Sequence, residues 1–571
     1  MNIVYDEEYK SFHLYNEKIS YVMKIEKNCY LSHCYFGKRI RRWNEAAKMY
    51  YYDRGFCANP DETDRTFSLD TMPGEYPDFG QGDFRSPAME LEFQDGDRNT
   101  RFHYAGYQIS AGKLSPEKLP HVYVESDKEA MTLEIWMKDE VRGLRLSLYY
   151  TIYEDAVLTR FVSIKNESED IVKIHRLLSM SLDLGEQDYD ILTPFLGIMR
   201  KETTEEQGEV FGANLIYSGN FWGCVQCGQY GTTRVQLGIN PFQFCWNLKP
   251  GEQFDTPETV LVYSTEGLGG MSAIFHRLYR KRVCRGKFRE KERPVLLNSW
   301  EGMYFAISEE KMLELEDQEK FPEGLQKLAE KVREKGVEFG IWFEPEMVSP
   351  ESELYKKHPD WVIRSKRYRP IRSRNQLVLD LANPEVREYL IEALSKILKN
   401  GNITYVKWDM NRHLTDLGSA FLNRENQGEL SHRYVLGLYS ILEYLTEMFP
   451  DVLFESCSSG GGRFDAGMLY YMPQTWTSDN TDAVCRLKIQ HGTSMLFPTV
   501  SMGAHVSAVP NHQVGRTTSL ETRYIVAAAG NLGYELDLQK LSQDEMELIK
   551  KQIAQYKRIR RTVQFGAYYR L

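Results

Sequence analysis

Ile403-Thr-Tyr-Val-Lys-Trp-Asp-Met-Asn-Arg412 joins a short apolar strand to a dense polar tip. Ile403 to Val406 are β-branched or aromatic and follow a turn signal at Asn400-Gly401-Asn402, so they read as a buried strand. Lys407, Asp409, Asn411 and Arg412 crowd its C-terminal end. Ionisable groups collected at a strand tip must sit in a cleft or stay unpaired at a cost. Asp409 lies between two cations and beside Trp408. One reading is a surface ion pair. The other is a carboxylate kept ionised and able to act as a nucleophile.

Working outward, the chain after Pro294 repeats strand-then-helix units. Val295-Leu-Leu297 leads into Asn298-Ser-Trp-Glu301. Leu325 to Lys335 has the spacing of an amphipathic helix. Phe339 to Val348 reads as a strand ending in two carboxylates. Val378-Leu-Asp380 reads as another strand, and Pro384 to Asn400 as a helix with proline at its start. A helix from Tyr434 to Met448 precedes Val452-Leu-Phe-Glu455, and further units end near Trp476, His505 and Gly533. Such alternation over the second half predicts a (β/α)8-type, TIM-like barrel, with polar clusters at the C-terminal ends of the strands.

Asp479, in Trp476-Thr-Ser-Asp-Asn-Thr-Asp482, is the second carboxylate of interest. Only a barrel would bring it opposite Asp409. Two carboxyl groups about 5–5.5 Å apart are the apparatus of a retaining glycosidase. The competing reading of this segment is a helix N-cap with acids near the dipole. Gly460-Gly-Gly462 lacks the Lys-Ser/Thr of a phosphate loop. His505 and His512 lack metal-ligand spacing and read as structural. Trp342 and Trp408 suit either the core or the wall of a sugar pocket.

The first half, to about residue 285, reads mostly as strands. Lys18 to Ile25, Met131 to Met137, Leu144 to Tyr153 and Ala156 to Ile164 alternate at period two, as in a large antiparallel sandwich. The Pro/Gly-rich loop from Asn59 to Pro87, rich in aromatics and acids, reads as functional. A helix beginning near Gly269 reads as a linker, and the basic run from Arg280 to Arg293 as a solvated face. The 571 residues carry a net charge of −10, with a pI of about 5.8. Nucleic acid and anionic membranes are therefore not expected partners. The first residues show no signal-peptide pattern and no run has the length of a membrane span, so a cytoplasmic protein is expected. Nine cysteines, only Cys224 and Cys227 in a Cys-x-x-Cys pair, fit reduced thiols.

Several long stretches make the chain resemble the bacterial α-galactosidases of glycoside hydrolase family 36. They are Trp342-Phe-Glu-Pro-Glu-Met-Val348, Lys407-Trp-Asp-Met-Asn411, Glu455-Ser-Cys-Ser-Ser-Gly-Gly-Gly-Arg-Phe-Asp465, Trp476 to Ala483, and Met502-Gly-Ala-His-Val-Ser-Ala-Val-Pro-Asn-His512. In the first half, Arg65-Thr-Phe-Ser-Leu-Asp70, Gly82-Asp-Phe-Arg85 and Leu261 to Gly270 are similar to the family's β-supersandwich. The resemblance implies that Asp409 is the nucleophile and Asp479 the acid/base. It implies sugar contacts from Lys407, Trp408, Met410, Asn411, Arg374 and Cys457, with Trp342 and Trp300 lining the pocket. Asp53 falls where family members reach toward a neighbouring subunit's site, which implies a homo-oligomer. No cofactor and no metal are implied.

The chain departs from the family pattern in three places. A second barrel strand, with a paired Asp-Asp-Gly-Trp, is missing where Glu309 to Glu319 runs into Phe321-Pro-Glu-Gly324. An Arg-rich stretch is missing near Asp190 to Phe195. The expected C-terminal β-sandwich is absent after Tyr568-Tyr-Arg-Leu571. The expected division is therefore a supersandwich with linker helix at 1–285, a catalytic barrel possessing or lacking its second strand at 286–560, and the start of a missing domain at 561–571. The expected activity is hydrolysis of terminal α-D-galactosides such as melibiose and raffinose by double displacement. The alternatives are a catalytically impaired galactoside-binding remnant, or an α-N-acetylgalactosaminidase or galactosyl-transferring relative.

Overall fold

The computed structural model describes residues 1–27, 29–44, 58, 60–185, 188–192, 195–303 and 324–570. The chain divides into two compact units, residues 1–274 with 422–433, and residues 275–421 with 434–571. The division falls inside the helix Gly267–Arg282. That places it before the boundary expected at 285: residues 267–274 of the helix go with the first unit and 275–282 with the second. The last helix, Gln543–Phe565, runs on past 560. Residues 561–565 thus belong to a helix of the second unit.

The first unit is built from antiparallel strands. Asn2–Asp6, Ser11–Tyr15, Ile19–Glu26 and Tyr30–Lys38 form a four-stranded meander. A nine-stranded sheet contains the neighbours His103–Ala111, Ala130–Asp139, Leu144–Tyr153 and Val157–Asn166, and a five-stranded sheet is organised around Val172–Leu184. The period-two alternation gave four of these strands, Ile19–Glu26, Ala130–Asp139, Leu144–Tyr153 and Val157–Asn166, to within a residue or two. Apolar side chains from several sheets bury each other, as where Phe36 meets Phe211 and Tyr263.

The loop before Pro87 has a structural function. Asp83 and Arg85 are buried and form a closed charge cluster with Asp183 and Arg234. Arg85 donates to both aspartates, and Arg234 Nε and Nη2 reach Asp183 and Asp83 at 2.8 and 2.7 Å. Buried charges persist when paired and hydrogen-bonded. Nearby, Glu75 accepts from Tyr21 and Tyr150 at 2.5 and 2.8 Å and pairs with Arg160. The expectation of a functional loop is corrected for these residues: their charges hold the sandwich together.

The second unit contains a seven-stranded parallel sheet. Its order is Leu296–Leu297, Asn531–Glu535, Met502–Ser507, Gln474–Trp476, Leu453–Cys457, Ile403–Asp409, Phe339–Phe343. Every pairing is parallel and the sheet curls as part of a TIM-like barrel. The inner strands are mostly buried, as expected where helices cover a parallel sheet, while Leu296–Leu297 and Phe339–Phe343 at the two ends of the order are partly exposed. Pro384–Asn400 starts as read, with the Asn383 side chain capping Glu385 N. Among the described residues, no strand joins the first member of the sheet to the last. The gap falls where the second strand was found missing, and the intervening residues 304–323 lie outside the described residues. Val378 belongs elsewhere than expected: Leu377–Val378 pairs antiparallel with Met347–Val348 in a ribbon off the barrel sheet.

Candidate active site

Strand register decides which side chains meet. Lys407 lies opposite Glu455, Asp409 opposite Cys457, and Trp342 opposite Lys407. Alternate residues share a face. Lys407 and Asp409 therefore point to the same side as Glu455 and Cys457, at the C-terminal end of the sheet.

Asp409 is the last residue of its strand and is buried. Both its oxygens are held. Trp342 Nε1 donates to Oδ2 at 3.0 Å, and the Met410 amide donates to Oδ1 at 3.0 Å. Asp479 follows the tip of Gln474–Trp476, two strands away in the sheet. Neighbouring strands lie about 4.8 Å apart, so the two backbones are about 10 Å apart before their side chains turn toward each other. Trp476 Nε1 donates to Asp479 Oδ1 at 3.0 Å. Gly460 makes the close approach of the intervening loop feasible. Its φ is +87°, and a Cβ there would meet Asp479 N and Ser478 Cα at 2.6 Å. The capping reading of this segment belongs to Asp482, whose Oδ2 accepts from Cys485 N at the start of Ala483–Thr493.

The charges are coupled. Burial raises the proton affinity of Asp479, and the charges of Asp409 and Glu535 add to it; Lys407 and the Trp476 N–H act against them. Burial alone would weaken Lys407 as a base, but the negative charges around it, Glu455, Glu535 and Asp409, raise its pKa. Lys407 Nζ is 3.9 Å from Glu455 Oε1 and 4.7 Å from the centre of the Trp476 ring. Burial, then the two aspartates, push the Cys457 thiol well up, so it stays protonated.

A second cluster centres on Glu344, just past the Phe339–Phe343 strand. Its carboxylate accepts from Asn411 Nδ2 at 2.7 Å, Arg374 Nη1 at 3.2 Å and Gln376 Nε2 at 3.0 Å. Asn411 Oδ1 in turn accepts from Ser459 N at 2.9 Å. Trp342 and Trp300 are 45% and 42% exposed, so flat aromatic surface is available at these strand tips. Glu301, next to Trp300, accepts from Thr481 Oγ1 and the Ala508 amide, tying three strand ends together.

Trp408 is corrected. It is fully buried and its Nε1 donates to Glu346 Oε1 at 2.8 Å, where Tyr434 and Arg463 also converge. It lies on the strand face opposite Lys407 and Asp409, and packs the barrel wall. Asp53 lies outside the described residues. Glu344, Trp476 and Glu535 were missed as members of the cluster; strand parity from Asp409 was the available signal for the last two. Among the described residues there is no group of three or more His, Cys, Asp or Glu that could hold a metal. No helix among them is long and apolar enough to cross a membrane.

Two aspartates, a lysine beside them and exposed indoles at the C-terminal rim of a parallel barrel sheet define a carbohydrate-processing barrel. The Melibiase family model matches residues 253–320 and 315–566, and the glycosyl hydrolase family 36 N-terminal domain matches 29–194 and 192–249. The chain belongs to glycoside hydrolase family 36. It is 47% identical over 640 aligned residues to α-galactosidase AgaA of Geobacillus stearothermophilus, covering 100% of this chain and 88% of that one. It is 41% identical over 639 to α-galactosidase Mel36A of Lactobacillus acidophilus, covering 100% and 87%. The crystal structure of the Geobacillus enzyme superimposes with a TM-score of 0.96 over 98% of this chain and 88% of that chain, at 47% identity. The Lactobacillus brevis α-galactosidase gives 0.97 at 39% identity, over 100% and 86%. Both sequence alignments are longer than the 571 residues present here. The pieces of the two family-model matches meet at 192–194 and 315–320, where the sequence lacks internal family segments.

Proposed function

We propose that this protein is a retaining α-galactosidase acting on terminal α-D-galactosides of the raffinose type, with Asp409 as nucleophile and Asp479 as acid/base. The observation that carries this reading is the different setting of the two carboxylates. Asp409 has both oxygens held by N–H donors, which fixes its orientation at the strand tip. Asp479 is biased toward holding a proton by burial and by its neighbour's charge. Solved complexes of the Geobacillus relative contain raffinose and stachyose, and each carries an aspartate substitution; these two positions are 70 apart, as are Asp409 and Asp479.

In the first step a carboxylate oxygen of Asp409 bonds to the anomeric carbon. The glycosidic C–O bond breaks, and the departing oxygen takes the proton of Asp479. In the second step Asp479 removes a proton from water, the oxygen of which attacks the anomeric carbon and frees Asp409. Lys407, with Arg374 and Asn411 on Glu344, supplies donors for sugar hydroxyls. Trp342 and Trp300 offer flat surfaces to the ring, and Cys457 and Met410 bound the pocket floor. A homo-oligomer is part of the same proposal, tested by light scattering on eluted protein.

The experiment is turnover of p-nitrophenyl α-galactoside with product stereochemistry followed by NMR. Asp409→Ala is expected to lose on the order of 10³-fold or more in kcat, and Asp479→Asn about 10²- to 10⁴-fold. The wild type releases α-galactose first. Equal rates for Asp409→Ala, or β-galactose as first product, would refute the assignment. The second-strand segment missing from the sequence between Glu309 and Gly324 favours a second reading, an impaired galactoside-binding protein. Calorimetric galactose binding without any turnover distinguishes it.

A further inference from the structure

Arg486 sits in the first turns of the helix Ala483–Thr493, yet it is 2% exposed and points among the barrel strands. Its Nη2 donates to Gly503 O at 2.9 Å, and its Nη1 is buried with no hydrogen-bond partner among the described residues. No carboxylate lies within ion-pair distance of it among those residues, and burial pulls its pKa down to about 10 against Glu535, Asp479 and Glu455. A desolvated guanidinium with so few direct partners is costly if it only fills space. What it does contact is an indole: Arg486 Cζ is 4.7 Å from the centre of the Trp476 ring. The same ring is approached by Lys407 at 4.7 Å and by the His505 imidazole at 4.3 Å. The indole so clasped aims its N–H at Asp479 Oδ1, and Oδ2 has no hydrogen-bond partner among the described residues.

We propose that Arg486 is a positioning residue for Asp479, acting through the stacked indole of Trp476. The proposal rests on the acid/base assignment made above. A cation over the ring polarises it and fixes its plane. The fixed N–H then holds one carboxylate oxygen and leaves the other for the leaving-group oxygen. Asp479 is faced by Lys407 and Asp409 from one strand, Cys457 from the next, Glu535 from the Asn531–Glu535 strand, and Arg486 from the following helix. Arg486 and the Trp476 N–H both favour the ionised carboxylate. Removing either therefore raises the pKa of Asp479, and the basic limb of the kcat/KM profile moves to higher pH.

The test is the pH profile of p-nitrophenyl α-galactoside hydrolysis by full-length variants. Arg486→Met is expected to lower kcat about 10- to 100-fold, as small misplacements of a catalytic group do, with KM within about twofold. Its basic limb should rise by about half to one pH unit, and Arg486→Lys should recover part of both changes. Trp476→Phe should shift the limb in the same direction, and the double variant Arg486→Met/Trp476→Phe should shift it by less than the sum of the two single shifts. A folded Arg486→Met with the wild-type limb overturns the proposal, whether or not kcat falls, since a purely structural loss leaves the limb in place. If circular dichroism shows that Arg486→Met does not fold, Trp476→Phe decides, and an unmoved limb there overturns it. Asp479→Asn separates the two claims: wild-type turnover in that variant defeats the acid/base assignment itself.

Discussion

Glu344 shows what one residue contributes. Three donors converge on its carboxylate, and two of them, Arg374 and Asn411, are proposed sugar contacts. Charge-assisted hydrogen bonds contribute about 1.5–3 kcal/mol each. Replacing the carboxylate with an amide turns an acceptor toward a donor and releases both side chains. Glu344→Gln is therefore expected to raise KM for galactosides about 10- to 100-fold, by the conversion of 1.4 kcal/mol per decade. The fall in kcat should be smaller, because neither carboxylate of the pair touches Glu344. Steady-state kinetics measures the split, and an unchanged KM would count against this role. The two carboxylates at the end of this strand were plain in the sequence; their different duties were not. The strand stops at Phe343, and the Pro345 turn breaks the parity that would have sorted them. Glu346 serves Trp408, Tyr434 and Arg463 in the wall, while Glu344 serves the rim. Trp408 could have been sorted, since Lys407 and Asp409 facing inward put the residue between them outward.

The loop Ser458–Gly462 is the element on which the approach of the two strands depends. Gly460 forms an isolated antiparallel bridge with Ser478 while its carbonyl accepts from Ser458 N at 2.9 Å, and the backbone there leaves no room for a Cβ. Alanine at 460 meets both a positive φ and a contact of 2.6 Å to backbone that cannot swing aside. Gly460→Ala is expected to displace Asp479 and lower kcat about 10²-fold, while the thermal midpoint falls only a few degrees. Kinetics and calorimetry on one preparation check both parts. The glycines were legible as not being a phosphate loop, but their service as a spacer was not, because it depends on two segments far apart in sequence. Most helices and strands were legible, since caps and hydrophobic period are local: Asn383-Pro384 opens a helix where expected, and Leu144–Tyr153 matches its alternation. Val378 was misplaced for the converse reason. A two-residue apolar strand carries no mark of which sheet it joins, and its partner Met347 was read as continuing the preceding strand.

Over the whole molecule, the chain does not finish its first unit before starting its second. Residues 422–433, from the middle of the barrel sequence, return to the first unit. There the Cys245 amide bonds Gly428 O at 3.1 Å and the Asn247 amide bonds Glu429 Oε1 at 3.0 Å. His432 sits among Phe244, Trp246 and Phe254, with its Nδ1 2.9 Å from the Tyr217 hydroxyl. No composition shift marks this excursion, so a boundary drawn along the sequence could not contain it. Burial lowers the pKa of His432 to about 3, so the fold holds it neutral. The unfolded chain takes up a proton near pH 6.5, and between there and about pH 3 it binds more protons than the folded one. His432 thus supports stability above pH 6.5 and loses that support, at about 1.4 kcal/mol per pH unit, as the pH falls through this window. His432→Phe keeps the ring packing, strands the Tyr217 hydroxyl and carries no titrating group. At pH 7.5 it should be less stable than wild type by about 1–3 kcal/mol. At pH 5 the difference should shrink by about 2 kcal/mol. Denaturant melts of both proteins at the two pH values, read from the transition of the first unit, measure it, and a gap that stays constant or widens on acidification would show that His432 is not held neutral by the fold.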